Sequence, residues 1–316
     1  MKKRQVEDIR LTSSMTINQL IEQFDKAGGF TAKKIADGVD IIETMMKEED
    51  CIRLLSFPAC IISTGLRGVI VELLKRKLID VIITTCGTLD HDLARIWKPY
   101  LHGSFHADDH VLHQKNLYRL GNIFIPTESY GSILEEKMQP VLKELYLEKK
   151  QWSTQDLVWA FGQRLEQEPQ GKESITYWSW KQQIPMFIPG PTDGAFGSQL
   201  WLFYQNHRDF TIDVLQDEQA LSDIMFDAQK TGAIVLGGGI SKHHTIWWNQ
   251  FKGGLDHAVY ITTAVEYDGS LSGAQTREAI SWGKINEQAD HITLDGDATV
   301  LFPLMIASLF ERLESE

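Results

Sequence analysis

Two apolar stretches, with a helical segment between them, decide the fold: Ile52-Arg-Leu-Leu-Ser-Phe57 and Ile79-Asp-Val-Ile-Ile-Thr-Thr85. Both are short runs of the kind found in strands that are buried on both faces. Residues 66–77 lie between them and predict a helix. A strand, a helix and a second strand in this order form a βαβ unit. The sequence therefore predicts an α/β fold with a doubly wound, mostly parallel sheet and helices on both faces.

Further segments extend this pattern in both directions. Apolar spacing predicts helices over 16–26, 31–48 and 298–313, and strands over 233–236, 259–263 and 291–294. Residues 131–168 predict two helices, broken near Pro140 and near Ser153, and residues 167–174 predict an exposed loop. We expect residues 1–15 to form an N-terminal arm and residues 16–316 to form a single domain.

The amino-acid composition limits the range of possible functions. The chain has 316 residues, a formal net charge of −12 and 43% apolar residues, as expected for a globular protein. Nucleic-acid binding without sequence specificity needs a basic surface, so this charge disfavours it. An acidic protein attracts a cationic substrate or a basic partner, although acidity also serves solubility alone.

The cysteines and the apolar runs indicate the cellular compartment of the protein. Cys51, Cys60 and Cys86 have no metal-ligand spacing, and so sparse and odd a set predicts reduced thiols in the cytoplasm. The N-terminus leads into no apolar signal-peptide core, and no apolar run approaches the roughly 18 residues of a membrane span. We therefore expect no membrane association.

Small and polar residues follow the predicted strands. In α/β proteins, ligands bind at the carboxyl ends of the strands, which is where these small and polar residues lie. Gly237-Gly238-Gly239 follows one strand and would let the backbone approach a phosphate, but it lacks the full dinucleotide-binding spacing. Asp193 follows another strand and either accepts hydrogen bonds from ribose hydroxyls or caps the helix predicted from residue 195.

The stretch Glu266-Tyr-Asp-Gly-Ser-Leu-Ser-Gly-Ala-Gln-Thr-Arg-Glu-Ala-Ile-Ser-Trp-Gly-Lys284 carries the strongest chemical signal. Carboxylates and an aromatic ring can hold an organic cation. A lysine beside other cations in a dry pocket loses its proton more readily and can attack a carbonyl or imine carbon. The alternative is a surface helix with a solvated Lys284. His243 suits acid–base work, or else it is structural.

Four histidines lie between residues 102 and 113. His106 and His110 are four residues apart, a spacing that can place two metal ligands on one helix face, with Asp109 close by. No further metal motif supports this interpretation, so we predict polar loop histidines and no metal site.

Several of these segments resemble deoxyhypusine synthase. The matching motifs are Leu236-Gly-Gly-Gly-Ile-Ser-Lys-His-His244, Ala258-Val-Tyr-Ile-Thr-Thr-Ala264, Glu266-Tyr-Asp-Gly-Ser-Leu-Ser-Gly273, Glu278-Ala-Ile-Ser-Trp-Gly-Lys-Ile285 and Gly296-Asp-Ala298. The resemblance extends over the chain from about residue 16, and the Ser-Trp-Gly-Lys block is its most specific part.

The resemblance implies a Rossmann-like, NAD-dependent enzyme that is a cytoplasmic homotetramer. Members of the family oxidise spermidine and pass its 4-aminobutyl group, as an imine, to an enzyme lysine. They release 1,3-diaminopropane, then transfer the group to one lysine of the translation initiation factor 5A precursor and reduce it. Residues 16–316 would then be one NAD-binding domain of this type.

The resemblance also implies roles for individual residues. Lys284 would form the imine, and His243 would transfer protons and contact the polyamine. The NAD contacts would be Ser63, Thr85, Cys86, Gly87, Asp193, Gly238, Thr263, Ala264, Asp297 and Ala298. The other spermidine contacts would be Asp90, His91, Gly269, Ser270, Glu278 and Trp282.

The sequence departs from eukaryotic members at several of these positions and is more similar to the archaeal branch. Eukaryotic members have Glu-Glu-Asp in place of Asp90-His91-Asp92, and they have acids at the positions of Ser198 and Leu271 that help to hold spermidine. Asp90, Asp92, Glu266 or Asp268 are candidates to compensate. Two alternatives stay open: a homospermidine synthase-like enzyme acting on a small amine, and a protein that binds NAD or polyamine without turnover.

Overall fold

The computed structural model describes residues 4–315. Its α-helices are α1 (Ile17–Ala27), α2 (Phe30–Lys47), α3 (Leu66–Lys75), α4 (Cys86–Trp97), α5 (Asp109–Gln114), α6 (Gly131–Glu148), α7 (Thr154–Arg164), α8 (Ile175–Gln182), α9 (Ala195–Tyr204), α10 (Val214–Asp227), α11 (Gly239–Gln250), α12 (Thr276–Ser281) and α13 (Ala298–Glu314). Its strands are β1 (Cys51–Phe57), β2 (Val81–Thr84), β3 (Leu101–His102), β4 (Leu117–Leu120), β5 (Ile123–Pro126), β6 (Gln151–Trp152), β7 (Met186–Phe187), β8 (Thr211–Ile212), β9 (Lys230–Leu236), β10 (Leu255–Thr262) and β11 (Ile285–Asp295).

The chain forms two compact units. Unit 1 takes in the chain as far as Ser56 and again from Asp223 onward, and unit 2 is the stretch 57–222. The first boundary falls within β1 and the second within α10. The prediction of one NAD-binding domain over 16–316 stays a prediction.

Unit 1 is built on four parallel strands in the order β11-β10-β9-β1. Their central residues are fully buried, among them Leu54, Ile234 and Val259. Side chains of this kind each contribute roughly 1.5–3 kcal/mol when they are buried. Helices α2, α11, α12 and α13 pack against β10, so helices flank the sheet. This arrangement confirms the predicted α/β class.

Unit 2 continues the α/β pattern. Strands β2 and β7 pair in parallel, with Ile82 opposite Met186 and Ile83 opposite Phe187. A separate antiparallel sheet has the order β3-β5-β4, and a small parallel pair joins β6 to β8. Within residues 4–315, every helix is too short or too polar to cross a membrane.

Buried aspartates join the helices of unit 2. Asp90 and Asp92, both in α4, are 1% and 0% exposed. The Asp90 carboxylate accepts hydrogen bonds from the N–H groups of Ala195 and Phe196, at 2.8 and 2.6 Å, at the start of α9. Asp92 accepts from the N–H groups that start α8, and Asp217 accepts in the same way from the start of α7. The first N–H groups of a helix have no partner within that helix, so these carboxylates satisfy them.

Two local expectations are wrong. Helix α6 runs without a break through Pro140, because Leu134, Met138, Leu142 and Leu145 are buried along its length, and their burial offsets the lost hydrogen bond. Residues 167–174 are not uniformly exposed either: Gly171 and Ser174 are buried, and short 3₁₀ turns cover half of this range.

Asp92→Asn should lower the free energy of unfolding by about 2 kcal/mol, because it removes the charge and leaves a buried N–H group of α8 without its acceptor. Urea denaturation followed by circular dichroism measures this change. Asp108→Asn is the matched control, since Asp108 caps the exposed helix α5 and asparagine is an equally good cap there. Equal losses in the two variants would contradict the role assigned to Asp92.

Candidate active site

A tight turn places Lys284 at the end of α12. The N–H of Gly283 donates to Ile280 O, and the N–H of Lys284 donates to Ala279 O, both at 2.9 Å. This pair of bonds is a Schellman motif, which needs a residue in the left-handed region, and Gly283 has φ of 66°. The Lys284 carbonyl then accepts from the Leu255 N–H at the start of β10. The Ser-Trp-Gly-Lys sequence thus holds the lysine backbone between a helix and the sheet.

The Lys284 side chain enters an aromatic cavity. Lys284 is only 7% exposed, and its Nζ lies 5.0 Å from the ring centroid of Trp282 and 5.5 Å from that of Trp247. Within residues 4–315, the Nζ has no hydrogen-bond or ion-pair partner. A buried amine that faces two rings and has no acceptor is placed to react with a ligand.

The cavity has a volume of about 280 Å³ and lies in unit 1. It is lined by Lys242, His243, Ile246, Trp247, Tyr260, Leu271, Ala274, Gln275, Glu278, Ala279, Trp282 and Lys284. His243, Glu278, Trp282 and Lys284 were predicted as site residues, and the fold brings them together here. Gly269 and Ser270 are exposed in the loop before α12 and do not line the cavity.

A second lysine in this cavity was not predicted. Lys242 is 1% exposed, and its Nζ donates to the carbonyl oxygens of Leu271 and Ala274, each at 2.7 Å. Burial lowers the pKa of Lys242 to about 8, and the nearby Glu278 carboxylate partly opposes this change. Lys242 therefore fastens the 271–274 loop over the cavity. In the sequence, Lys242 is marked only by its position next to His243, and that position does not show where the lysine side chain points.

The cavity also holds a buried hydroxyl without a partner. Tyr260 is 1% exposed, and no described residue lies within hydrogen-bonding distance of its Oη. The Nζ of Lys242 lies 4.3 Å from the centre of the Tyr260 ring. Burial raises the pKa of Tyr260, so the hydroxyl stays protonated.

His243 lies in the first turns of α11, and its ring is 5.5 Å from that of Trp247. Partial burial and the charge of Lys284 lower the pKa of His243 below its usual value. The imidazole is therefore neutral at neutral pH and can accept a proton.

The carboxyl ends of three adjacent parallel strands meet at one edge of unit 1. Residues after β9, β10 and β11 stand there: Gly238, Thr263, Ala264, Asp297 and Ala298. Helix α11 begins at this edge without a side-chain cap, which leaves its first N–H groups for an anion. A Cβ on Gly238 would come within 2.4 Å of Ser272 Cα, so the backbone approach there requires glycine.

The other predicted cofactor residues follow strands in unit 2. Thr85, Cys86 and Gly87 follow β2, and Asp193 follows β7, which is its parallel neighbour. The Cys86 thiol donates to Pro191 O at 3.1 Å, and burial raises the pKa of Cys86 to about 12. Ser63 ends a 3₁₀ turn, Ala59–Ser63, and donates to Cys60 O.

The helix-capping alternative for Asp193 is wrong. The N-cap of α9 is Gly194, which has no side chain that could cap the helix. The carboxylate that accepts from the first N–H groups of α9 belongs to Asp90 instead, because α4 packs against α9. The ribose-binding alternative for Asp193 stays a prediction.

Asp90 and His91 are buried in unit 2. Besides its two bonds to α9, Asp90 accepts from the Tyr130 hydroxyl at 2.5 Å. The Nδ1 of His91 lies 2.9 Å from the Tyr100 hydroxyl, and burial, aided by the charge of Arg95, lowers the pKa of His91 to about 4. His91 is therefore neutral at neutral pH. The contact of Asp90 and His91 with spermidine stays a prediction.

The other candidate carboxylates have partners within the protein. The Asp92 side chain faces the start of α8, and the Glu266 carboxylate pairs with Arg277 at 2.5 Å. Asp268 accepts from the Ser270 N–H at 2.6 Å. Glu278 is the carboxylate that lines the cavity, so it remains the direct candidate for holding an ammonium group.

Fold and cavity together describe an α/β protein whose cavity holds a buried lysine beside aromatic rings. The family model for deoxyhypusine synthase matches residues 19–309, so the chain belongs to the deoxyhypusine synthase family, whose members are transferases of hypusine biosynthesis. The sequence-based recognition is thereby confirmed.

Archaeal proteins provide similar full-length relatives. A "Probable deoxyhypusine synthase" of Picrophilus torridus is 58% identical over 305 residues, covering 96% of each chain. Another, from Thermoplasma acidophilum, is 55% identical over 304 residues with the same coverage. A crystal structure from Entamoeba histolytica, of a protein that also carries the deoxyhypusine synthase name, covers 97% of each chain with a TM-score of 0.66. Its sequence identity is 18%, so this last likeness concerns the fold.

Replacing Lys284 should change the titration of His243. Lys284→Met removes a positive charge that repels the imidazolium, so the pKa of His243 should rise toward its usual value of about 6.5. Histidine-detected NMR over a pH series measures it, with His243→Asn to assign the signal. Lys34→Met, which changes an exposed lysine that pairs with Asp295, is the control. An unchanged His243 titration in Lys284→Met would show that the two groups do not interact.

Proposed function

We propose that this enzyme transfers the 4-aminobutyl group of spermidine to a specific lysine of the translation initiation factor 5A precursor. The transfer depends on NAD and passes through an imine on Lys284. The observation that carries the proposal is the buried Nζ of Lys284 in an aromatic cavity, where it has no hydrogen-bond or ion-pair partner among the described residues. Membership of the deoxyhypusine synthase family supports it.

The cavity suits a linear polyamine. The faces of Trp247 and Trp282 attract methylene chains and ammonium groups, and Glu278 supplies a carboxylate. The side chain of Gln275 adds a polar group to the lining. The formal net charge of −12 speeds the approach of a polycation.

The residues that we assign to NAD follow strands in unit 1 and strands in unit 2, and each unit is considered by itself. In unit 1, the uncapped start of α11 suits a pyrophosphate, and Thr263, Ala264, Asp297 and Ala298 follow the neighbouring strands. In unit 2, Ser63, Thr85, Cys86 and Gly87 would contact the cofactor, and the exposed Asp193 would accept from ribose hydroxyls. The chemistry that NAD would supply when bound is hydride transfer, from spermidine to the cofactor and back.

The side chains of the cavity carry the proton and group transfers. Neutral His243 takes a proton from the Lys284 ammonium, and the free amine attacks the imine carbon of oxidised spermidine. The carbon–nitrogen bond to the leaving amine then breaks, and that amine takes a proton and departs as 1,3-diaminopropane. The aminobutyl imine stays on Lys284. The acceptor lysine attacks the same carbon, which frees Lys284, and the returned hydride reduces the new imine.

Lys242 helps to keep water away from the reacting groups. Lys242 holds the carbonyls of Leu271 and Ala274, so the loop excludes water from the side of the cavity that it covers. Excluding water protects an imine from hydrolysis. In the cell we place the enzyme in the cytoplasm as a homotetramer, in keeping with the family resemblance.

A homospermidine synthase-like activity is the second candidate. Leu271 lines the cavity at a position where eukaryotic members have an acid, so one anchor for spermidine is absent there. A small amine such as putrescine could then replace the protein acceptor. A protein that binds NAD or polyamine without turnover is the third, and it would release no 1,3-diaminopropane.

Incubation with NAD and radiolabelled spermidine, followed by borohydride reduction, should fix label on the Lys284 peptide. Adding the factor 5A precursor should move the label to that protein, and Lys284→Arg should abolish both results, because a guanidinium is not nucleophilic. Lys252→Arg is the control, since Lys252 pairs with Asp256 outside the cavity. Full transfer by Lys284→Arg would refute the proposal. Label that leaves Lys284 only for putrescine would favour homospermidine synthesis.

Glu278→Gln should raise the KM for spermidine about tenfold, because it removes the carboxylate that faces the cavity while keeping its shape. Steady-state release of 1,3-diaminopropane measures the change. Glu287→Gln is the control, since Glu287 is exposed in β11 and does not line the cavity. An unaltered KM would mean that Glu278 does not hold an ammonium group.

A further inference from the structure

Unit 2 contains a larger, basic cavity of about 670 Å³. It is lined by Ser63, Thr64, Gly65, Arg67, Arg95, Trp97, Lys98, Pro99, Tyr100, Leu101, His102, Ile123 and Gln170. Its titratable lining residues are two arginines, a lysine, a histidine and a tyrosine, with no aspartate or glutamate among them. In a chain of net charge −12, such a concentration of basic groups needs a reason.

The protein fixes the two arginines. Arg95 donates through Nη1 to the carbonyls of Ile62 and Thr64, at 2.5 and 2.7 Å. Arg67 is 8% exposed and donates through Nη1 to the carbonyl of Asp92 at 3.1 Å. In the described part of the chain, the remaining N–H groups of both guanidiniums have no acceptor. Two preorganised forks with free donors are suited to an oxyanion.

Among the described residues, Asp92 balances the charge of these two arginines only in part. The Asp92 carboxylate lies 3.8 Å from Arg67, but it already accepts from the Ser174 hydroxyl and from the first N–H groups of α8. Burial and the neighbouring charge of Arg67 lower the pKa of Arg95. An anion in the cavity would relieve this repulsion.

The cavity also presents donors without acceptors. Trp97 has a buried Nε1–H with no partner among residues 4–315. The hydroxyls of Ser63 and Thr64 donate to Cys60 O and Ile61 O, so their protons are already used within the protein. Buried donors are nearly always paired in folded proteins, so an acceptor-rich ligand is expected here.

We propose that this cavity binds an organic phosphate, with Arg67 and Arg95 holding the phosphate group and Lys98 and His102 closing around it. A phosphate alone is much smaller than the cavity, whose size is typical of sites for nucleotide-sized ligands. The rings of Trp97 and Tyr100 and the side chains of Leu101 and Ile123 provide the surface for the organic part.

Apart from Ser63, this cavity and the proposed NAD contacts have no residue in common. Ser63 is shared, but Thr85, Cys86, Gly87 and Asp193 do not line the basic cavity. The phosphate could come from a nucleotide or from free pyrophosphate, and binding measurements separate these two sources.

Isothermal titration calorimetry of the full chain with ADP, and separately with inorganic pyrophosphate, tests the proposal at constant ionic strength. Each titration is done with and without saturating NAD. We expect ADP to bind in the presence of NAD, and binding to weaken at least about tenfold in Arg95→Lys and in Lys98→Met. Arg95→Lys keeps the charge and can still reach a carbonyl but loses the fork. Lys115→Met, an exposed lysine outside the cavity, is the control and should bind as the parent does.

Each result of these titrations either supports the proposal or overturns it. ADP binding tighter than pyrophosphate supports the proposed organic phosphate, and pyrophosphate binding as tightly as ADP would overturn the role assigned to the organic part. Complete displacement of ADP by NAD would overturn the separate site. Binding that neither Arg95→Lys nor Lys98→Met weakens would overturn the cavity assignment, whatever the fate of the aminobutyl transfer reaction.

Discussion

Unit 2 depends on the carboxylates of Asp90 and Asp92. These side chains extend from one helix, α4, to the first N–H groups of α9 and α8. A helix start that is buried without partners would be costly, and a carboxylate also complements the positive end of the helix dipole. Asp90 and Asp92 both belong to α4, so the position of α4 determines where α9 and α8 begin.

The same contacts bear on the chemistry that the sequence suggested for this segment. Asp90 already accepts three hydrogen bonds from protein groups, and His91 is neutral and buried against Tyr100 and Tyr130. Residues that look like substrate contacts in the sequence therefore also organise the fold. In unit 1, Glu278 has no such task and faces the cavity, which is why it is the stronger candidate for binding a cation.

The two lysines of the cavity show how environment separates similar side chains. Lys242 is satisfied by two carbonyl oxygens, so its amine is occupied in holding a loop. Lys284 has no acceptor within the described residues and faces two indole rings. A Schellman turn with Gly283 in the left-handed region sets this difference, because it aims Lys284 while its backbone joins α12 to the sheet. Residue type alone would not separate them.

The sequence by itself determined the alternation of apolar strands and helices, the glycine run after β9 and the Ser-Trp-Gly-Lys turn. These are local patterns whose periods and turn residues limit the backbone directly. Only the tertiary structure decided that Pro140 lies inside α6, that Asp90 rather than Asp193 accepts from the start of α9, and that Lys242 and Tyr260 belong to the cavity. Each of these depends on which distant segments pack together, because burial and hydrogen-bond partners are supplied by residues far away in the chain.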